Sequence, residues 1–324
     1  MSGKDLRIVF MGTPEFAVGS LKCLIENGYK IVGVITSPDK AAGRGRKLAE
    51  PAVKKYSVEN NLKILQPEKL KSSEFLKELE SLNADLQVVV AFRMLPEVVW
   101  EMPGLGTFNL HASLLPQYRG AAPLNWAIIN GETETGATTF LLDHEIDTGK
   151  ILFAEKTQIG ENDTVGDIHD RLMEIGANLV VKTIDALAEG NYRAQTQDEF
   201  FQLGEELKHA PKIFKGDCRI DWNKDVSTIK NLIRGLSPYP AAWTTFMPKE
   251  SGKEFQVKIY FSEKEEVKHP EKPGKIISDN KTFLKIAASN GWITIKELQL
   301  QGKKRMKVED FLRGFQQIGN YSAR

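Results

Sequence analysis

The sequence predicts an α/β fold in which a mostly parallel β-sheet, covered by helices on both faces, is followed by a small antiparallel barrel or sandwich. Strand and helix signals alternate along residues 1–189. The strands in this part are short and apolar on both faces, as expected for strands buried between two layers of helices. Beyond residue 211 the pattern changes to short strands separated by Pro, Gly and Asn.

A β-α-β unit opens the chain. RIVFMG (7–12) is an apolar run ending in Gly, PEFAVGSLKCLIENG (14–28) has apolar residues at helical spacing, and IVGVIT (31–36) is a second strand. We expect Pro14 to be the first helical residue, since its fixed φ suits that position. The turn between strand and helix lacks the GxGxxG pattern, so the sequence disfavours a nicotinamide-dependent oxidoreductase.

The rest of the first part continues the alternation. Further strands are expected at 86–92 and 106–111, and helices at 74–82 and 123–129. Two more strands, TTFLLD (138–143) and KILFAEKTQI (150–159), precede a long helical pattern over 165–188. In parallel sheets ligands bind beyond the carboxyl ends of the strands, so a site is expected at that edge.

The second part follows a polar segment of weak periodicity, which predicts a linker. Its expected strands are KIYF (258–261), GKIISD (274–279), FLKIAA (283–288) and GWITIKELQL (291–300). The predicted organisation is a first domain over 1–189, a linker over 190–211 and a second domain over 212–324.

Composition indicates a globular protein without a membrane span. The chain has 324 residues, of which 41% are hydrophobic, and it contains no apolar run of the roughly eighteen residues that a membrane helix needs. No signal-peptide pattern is present, so we expect a cytoplasmic location. The two cysteines, Cys23 and Cys218, lie far apart in sequence and predict neither a disulfide nor a cysteine-based zinc site.

Charge is distributed unevenly. Residues 207–324 contain 23 Lys and Arg against 13 Asp and Glu, a balance of +10, whereas residues 1–206 contain 21 against 30, a balance of −9. A basic second part is typical of a domain that binds a polyanion, although lysine-rich surfaces also keep small domains in solution.

Asn109 and His111 form a polar pair at the end of the strand over 106–111. Residues two apart on a strand point to the same side, so the amide and the imidazole can address one reacting centre. Asn offers a donor for a developing oxyanion and His exchanges a proton near neutral pH. The alternative is a histidine that is simply satisfied at a strand end.

An acidic loop, LLDHEIDTG (141–149), follows the next apolar strand. One of its carboxylates is suited to orienting His111 and stabilising its charged form. The same loop also allows a metal site of His and carboxylates, but ligand spacing such as HExxH is missing, and His144 is expected to be an ordinary loop residue.

Two basic segments favour nucleic acid as the polyanion. The loop over 37–47 has two glycines, one acid and no apolar anchor, and GKKRMK (302–307) lies in the basic second part. The candidate phosphate contacts are Lys40, Arg44, Arg46, Lys47, Lys303, Lys304 and Arg305.

Motifs along the whole chain resemble those of the methionyl-tRNA formyltransferases. They are MGTPEFA (11–17), DKAAGRGRKL (39–48), NLHASLLPQYRGAAP (109–123), DTGKI (147–151), RIDW (219–222), SPYPAAW (237–243) and GKKRM (302–306). The block HASLLPxxRGAAP is specific for folate-dependent formyltransferases, and the C-terminal motifs separate the tRNA enzymes from shorter relatives that formylate glycinamide ribonucleotide.

The resemblance implies a Rossmann-like sheet, an OB-like barrel and a division of roles among the residues. It implies that Asn109, His111 and Asp147 are catalytic, and that the loop over 39–47, chiefly through Arg44, approaches the acceptor end of the tRNA. The folate-binding residues it implies are Ser113, Leu114, Leu115 and Pro116.

The reaction implied is transfer of the formyl group from 10-formyltetrahydrofolate to the α-amino group of methionyl-initiator tRNA. We expect direct transfer through a tetrahedral species, without a metal, by a monomeric protein. One segment departs from the family pattern: FRMLP (92–96) is shorter than usual and contains Arg93. Two other hypotheses are a formyltransferase that acts on a small amine and a non-catalytic RNA-binding protein.

Overall fold

The structure is a computed structural model that describes residues 2–42, 47–200, 206–250 and 252–324. The chain divides into two compact units. Unit 1 comprises residues 1–120, 135–157 and 169–209, and unit 2 comprises residues 121–134, 158–168 and 210–324. Within the described ranges, no helix is both long and apolar enough to cross a membrane.

The α-helices are numbered in chain order. They are α1 Glu15–Glu26, α2 Ala52–Glu59, α3 Ser73–Ser81, α4 Glu97–Trp100, α5 Pro123–Ile129, α6 Val165–Glu189, α7 Val226–Gly235 and α8 Val308–Gly314. Short 3-10 helices are Gly3–Asp5, Gln197–Phe200, Gly216–Cys218 and Ile318–Asn320.

The strands are numbered in the same way. The first ten are β1 Ile8–Gly12, β2 Ile31–Ile35, β3 Lys40–Ala42, β4 Lys47–Ala49, β5 Ile64–Leu65, β6 Leu86–Val90, β7 Thr107–His111, β8 Arg119–Gly120, β9 Glu134–Leu141 and β10 Ile151–Gln158. The others are β11 His209–Ala210, β12 Ala242–Pro248, β13 Phe255–Glu266, β14 Ile276–Ser278, β15 Leu284–Ala287, β16 Gly291–Leu300, β17 Met306–Lys307 and β18 Tyr321–Ala323.

Unit 1 is built on a seven-stranded, mostly parallel sheet. The strand order is β10-β9-β7-β6-β1-β2-β5, in which β5, β2, β1, β6 and β7 run parallel and β9 pairs antiparallel with β7. Both faces of β1 and β6 are buried, which explains their continuous apolar sequences. This confirms the predicted Rossmann-like class, and it places the carboxyl ends of five strands at one edge.

The helices predicted over 14–28, 74–82, 123–129 and 165–188 are observed as α1, α3, α5 and α6, with one correction, whereas α2 and α4 were not predicted. Pro14 caps α1, which begins at Glu15, so Pro14 precedes the helix instead of opening it. Pro14 is not helical because its ψ of 177° is that of an extended residue, far from the helical value. Helix α3 is capped by Ser72, whose hydroxyl accepts from the N–H of Phe75.

Unit 2 contains an antiparallel barrel. Its strands follow the order β14-β15-β16-β13-β12-β18, with β17 paired to β16. Lys275, just before β14, bridges to Ser322 of β18, and this contact brings the two ends of the sheet together. The sheet is therefore a nearly closed, OB-like barrel, which decides between the barrel and the sandwich left open by the sequence.

Helix α7 supplies one wall of the barrel's hydrophobic core. Val226, Ile229 and Ile233 are 1% exposed or less and belong to one cluster with residues of β12, β13 and β16. The helix starts at Asp225, whose carboxylate accepts from both the N–H and the hydroxyl of Thr228. The cap fixes the start of the helix that fills this side of the core.

The predicted linker over 190–211 is described up to residue 200 and from residue 206 onward. Within unit 1, Gln195 pairs with Ile151 next to β10, and Gln197 is 3% exposed. These residues therefore pack against unit 1. The domain boundaries at 189 and 212 remain predictions.

Candidate active site

Asn109 and His111 lie at the carboxyl end of β7. Asn109 pairs with Val89 of β6 and with Phe140 of β9, and His111 pairs with Thr138 of β9. The strand alternation places both side chains on one face. Asn109 is half-buried and His111 is 7% exposed. Within the described residues, the amide of Asn109 forms no hydrogen bond, so its N–H groups are available to a ligand.

The two ring nitrogens of His111 have different partners. Nε2 lies 3.0 Å from the carbonyl oxygen of Tyr118. A carbonyl oxygen only accepts, so Nε2 carries a hydrogen and donates it. Nδ1 lies 3.9 Å from Oδ2 of Asp147. The contact with Tyr118 therefore leaves Nδ1 as the nitrogen that can gain or lose a proton beside a carboxylate.

Asp147 is held in an uncommon backbone conformation. Its φ is +57°, in the left-handed region that non-glycine residues seldom adopt. Oδ2 accepts from the N–H of Gly120 at 3.0 Å. The neighbouring Gly149 lies so close to Leu141 that a Cβ would approach its carbonyl oxygen to 1.7 Å, so only glycine fits there. The loop thus directs the Asp147 carboxylate towards His111.

Gln197 holds the loop around Asp147 in place through hydrogen bonds to its main chain. Its Nε2 donates to the carbonyl oxygens of Asp147 and Gly149, both at 2.9 Å. Its Oε1 accepts from Nε and Nη2 of Arg119, at 3.0 and 2.6 Å. Sequence patterns did not indicate Gln197, because the residue lies in a polar stretch of weak periodicity. The only sequence signal was for its partner Arg119, which lies in the QYRG block.

The segment over 113–116 is largely internal. Thr138 donates its hydroxyl to the carbonyl of Ser113 at 2.7 Å and accepts from the N–H of Leu115 at 3.2 Å. The Ser113 hydroxyl donates to the carbonyl of Gln117 at 2.7 Å. Leu115 and Pro116 are buried, and Leu114 is half-buried. Leu114 and main-chain groups are therefore the parts of this segment that can face a ligand.

Arg93, in the segment that departs from the family pattern, is engaged within unit 1. Its guanidinium donates to the carbonyl oxygen of Glu68 at 2.9 Å and to that of Pro67. The guanidinium carbon also lies 5.7 Å from the centre of the Phe92 ring. These contacts fix Arg93 against the 67–68 turn.

The basic residues fall into three groups. Lys40 is exposed at the start of β3, and Lys47 opens β4, while Arg44 and Arg46 lie outside the described residues. Lys303 and Lys304 are exposed and form no ion pair in the part of the chain that is described. The guanidinium of Arg305 is held, since Nε donates to Glu297 at 2.6 Å and the group lies 4.6 Å from the centre of the Tyr260 ring.

One exposed group in the described ranges has metal-ligand geometry. Glu97, Glu101 and His144 place their ligand atoms within 4.8 Å of one another. His144 also contacts the edge of the Trp100 ring, with ring centres 5.5 Å apart. Neither His111 nor Asp147 belongs to this group, so the pair at the end of β7 is a separate arrangement.

Comparison with known families gives two matches that together span most of the chain. Residues 6–184 match the family model described as formyl transferase. Residues 212–316 match the model described as the formyl transferase C-terminal domain.

Curated relatives match over nearly the full length. A methionyl-tRNA formyltransferase from Parabacteroides distasonis is 57% identical over 99% of this chain and 99% of its own. One from Bacteroides fragilis is 56% identical, covering 97% of each chain. Another, from Flavobacterium johnsoniae, is 54% identical, covering 96% of each chain.

Solved structures share the fold at lower identity. An N-formyltransferase from Helicobacter canadensis, in complex with folinic acid and dTDP-3-aminofucose, is 21% identical with a TM-score of 0.64, covering 93% of this chain and all of that one. A sugar 3N-formyltransferase is 22% identical with a TM-score of 0.63, covering 92% of this chain and 99% of that one.

Proposed function

The chain belongs to the methionyl-tRNA formyltransferase family, and from that premise we propose that Asn109, His111 and Asp147 carry out its formyl transfer. The observation that carries the proposal is the position of His111 Nδ1. It lies 3.9 Å from the Asp147 carboxylate and on the same strand face as the amide of Asn109, which forms no hydrogen bond with any described residue. A donor, a proton-exchanging group and a charge thus lie at the sheet edge where ligands bind.

The acceptor is the α-amino group of methionyl-tRNA. This assignment is supported by the names of relatives that are 50–57% identical over nearly the whole chain. The basic second part of the chain also suits a polyanionic substrate. We propose that the substrate is the initiator species. A monomeric state and a cytoplasmic location also belong to this proposal.

The formyl donor is folate-derived, and we propose 10-formyltetrahydrofolate. When bound, it supplies the formyl carbon that the amine attacks. The proposed contact is the 113–116 segment, where half-buried Leu114 offers an apolar surface and the main chain offers polar groups. The Ser113 hydroxyl is already donated to the carbonyl of Gln117, so Ser113 supports folate binding by fixing the conformation of the segment and not by contacting the folate with its hydroxyl. Thr138 plays the same supporting part from β9.

Asn109 and His111 divide the work of charge stabilisation. The Asn109 amide donates to the oxygen that becomes negative when the amine attacks, and a proton on His111 Nδ1 supplies a second donor. Asp147 stabilises the positive ring and keeps it oriented. The tetrahedral species then collapses: the bond between the formyl carbon and N10 of the folate breaks, the formylated amine forms and tetrahydrofolate leaves. The proton that the amine loses passes through His111, Asp147 or a water between them and ends on N10 of the departing tetrahydrofolate. These roles require no metal and no covalent bond to the protein.

Proposed tRNA contacts lie on both parts of the chain. In the first part they are Lys40, Arg44, Arg46 and Lys47, and in the second part Lys303, Lys304 and Arg305. Lys303 and Lys304 are exposed without an acidic partner among the described residues, so phosphates can pair with them directly. Arg305 is already paired with Glu297, so we expect it to contribute less than either lysine.

An acceptor assay tests the proposal. The purified protein is given 10-formyltetrahydrofolate and one of three acceptors: methionyl-tRNA, glycinamide ribonucleotide or a nucleotide-linked amino sugar. We expect formylation of methionyl-tRNA only, with KM for the tRNA rising steeply with salt concentration because phosphate contacts release counterions. Preferential formylation of a small amine would refute the assignment of the acceptor.

A further inference from the structure

Lys54 in α2 contacts both ends of the β3–β4 hairpin. Its Nζ lies 2.5 Å from Oδ2 of Asp39, the residue before β3, and 2.7 Å from Oε1 of Glu50, the residue after β4. The two strands pair antiparallel, with Lys40 opposite Ala49. The Lys54 side chain, which is 18% exposed, therefore links the residue before β3 to the residue after β4.

Asp39 has a second anchor on a different element. Gln66, which follows β5, donates to Oδ1 of Asp39 and to the carbonyl oxygen of Ser37, both at 2.9 Å. The hydrogen bond from Lys54, and then that from Gln66, lower the pKa of Asp39, while the bond to Asp39 raises the pKa of Lys54. Both groups therefore stay charged around neutral pH. The hairpin is thus joined to α2 and to the sheet.

The topology places the two ends of the hairpin at the edge of the sheet that carries the proposed active site. The hairpin follows the carboxyl end of β2, and β2, β1, β6 and β7 are parallel neighbours. His111 is the last residue of β7, so its ring and the start of the hairpin leave the sheet from the same edge. The direction in which the hairpin leaves that edge therefore sets the position of the exposed side chain of Lys40.

We propose that Lys54 is a positioning residue for methionyl-tRNA: it holds the β3–β4 hairpin, which begins at the exposed Lys40, where the hairpin can guide the acceptor end to His111. This inference rests on the proposed contact between that hairpin and tRNA. Lys54 acts through the hairpin and not as a phosphate ligand, because its ammonium group is already shared between two carboxylates.

The first test compares two lysines that are neighbours in α2. Lys54→Met removes the clamp, whereas Lys55→Met removes the same charge from an exposed side chain that forms no ion pair within the described residues. We expect Lys54→Met to raise KM for methionyl-tRNA about tenfold, with kcat and KM for 10-formyltetrahydrofolate within about twofold of wild type. Lys55→Met should stay within about twofold on all three. Equal effects of the two variants would overturn the proposal.

Asp39→Asn separates positioning from attraction. It makes the hairpin more positive, so an effect of charge alone would lower KM for the tRNA. Loss of the clamp instead raises KM, in the same direction as Lys54→Met. A lowered or unchanged KM in Asp39→Asn would overturn the proposal. Lys54→Arg, which keeps a cation that can reach both carboxylates, should recover most of the lost affinity, and failure to do so would also count against it.

Arg44→Ala, measured in parallel, distinguishes failure of this inference from failure of its premise. If Arg44→Ala raises KM for the tRNA while Lys54→Met does not, the hairpin binds tRNA without the clamp, and only the inference is wrong. If neither variant changes KM, the hairpin has no part in tRNA binding, and both are wrong. Thermal unfolding of each variant verifies that it is folded.

Discussion

His111 Nδ1 lies 3.9 Å from Asp147 Oδ2, while His111 Nε2 is held at 3.0 Å from the carbonyl oxygen of Tyr118. The first distance is too long for a hydrogen bond but within the range of an ion pair. The carboxylate therefore lies beside Nδ1 without being its hydrogen-bond partner, so an N–H at that atom can be directed at a ligand. The N–H of Gly120 contributes to this spacing, since it binds the same Oδ2 atom.

Asn109→Ala should lower kcat about a hundredfold to a thousandfold, because it removes one preorganised donor to the developing oxyanion. KM for methionyl-tRNA and for the formyl donor should change little, since the amide acts in the transition state. Steady-state kinetics at saturating tRNA measure this effect. Asn109→Asp, of the same shape but unable to donate when ionised, should lose at least as much. A kcat near that of wild type in either variant would refute the assigned role.

Asp147→Asn should lower kcat about a hundredfold, because the amide cannot stabilise a positive charge on His111. The amide oxygen can still accept from Gly120, so the loop should keep its conformation and the melting temperature should change little. Formylation rates and thermal unfolding test both statements.

Asp143→Asn is the matched control for that variant. Asp143 lies in the same acidic loop, but it is exposed and its carboxylate accepts only from the N–H of His144 among the described residues. Its activity should stay near wild type. A comparable loss in both variants would mean that the loop's overall charge matters, and not the partner of His111.

Much of this arrangement was predictable from local sequence. The alternation of strands and helices gave the sheet, and the two-residue spacing placed Asn109 and His111 on one strand face. The acidic loop predicted a carboxylate partner for His111, but only the family resemblance indicated that this partner is Asp147, because a loop conformation with positive φ at a non-glycine residue has no reliable local signal.

Other parts of the site depend on contacts between distant segments. Gln197 is a polar residue in a stretch of weak periodicity. Its importance comes from its hydrogen bonds to Arg119, Asp147 and Gly149, which the fold brings next to it. Likewise the ion pair between Lys54 and Asp39 joins helix α2 to the residue that precedes β3. Sequence patterns report burial and helical or strand period, and they carry little information about which polar groups meet.

Gln197→Leu should destabilise unit 1 and lower kcat together. The variant leaves the carbonyl oxygens of Asp147 and Gly149, and the guanidinium of Arg119, without a buried partner, at a cost of about 1–3 kcal/mol. The freed loop should also let the Asp147 carboxylate leave its position near His111. Gln195→Ala is the control, since among the described residues that side chain reaches only exposed Glu199, at 3.4 Å. If the free energy of unfolding in urea and kcat of Gln197→Leu both match those of wild type, Gln197 does not hold the loop that carries Asp147.

Asp225→Ala should destabilise unit 2 in a pH-dependent way. The bonds from Thr228 lower the pKa of Asp225, so the cap contributes its full stability above the unfolded pKa of about 4 and loses it as pH falls further. We expect a loss of about 1 kcal/mol at pH 7, shrinking in more acidic solution. Tryptophan fluorescence during urea unfolding reports it, because four of the five tryptophans lie in unit 2. Asp225→Asn, which keeps a capping oxygen at every pH, should lose less.

In the proposed mechanism His111, together with Asn109 and Asp147, carries the transfer of the formyl group. The most direct measurement is the single-turnover rate of methionyl-tRNA formylation at saturating 10-formyltetrahydrofolate, in wild type and in His111→Ala. We expect the rate to fall by about a thousandfold, with dissociation constants for tRNA and donor within about twofold of wild type. A His111→Ala rate within about tenfold of wild type would contradict it.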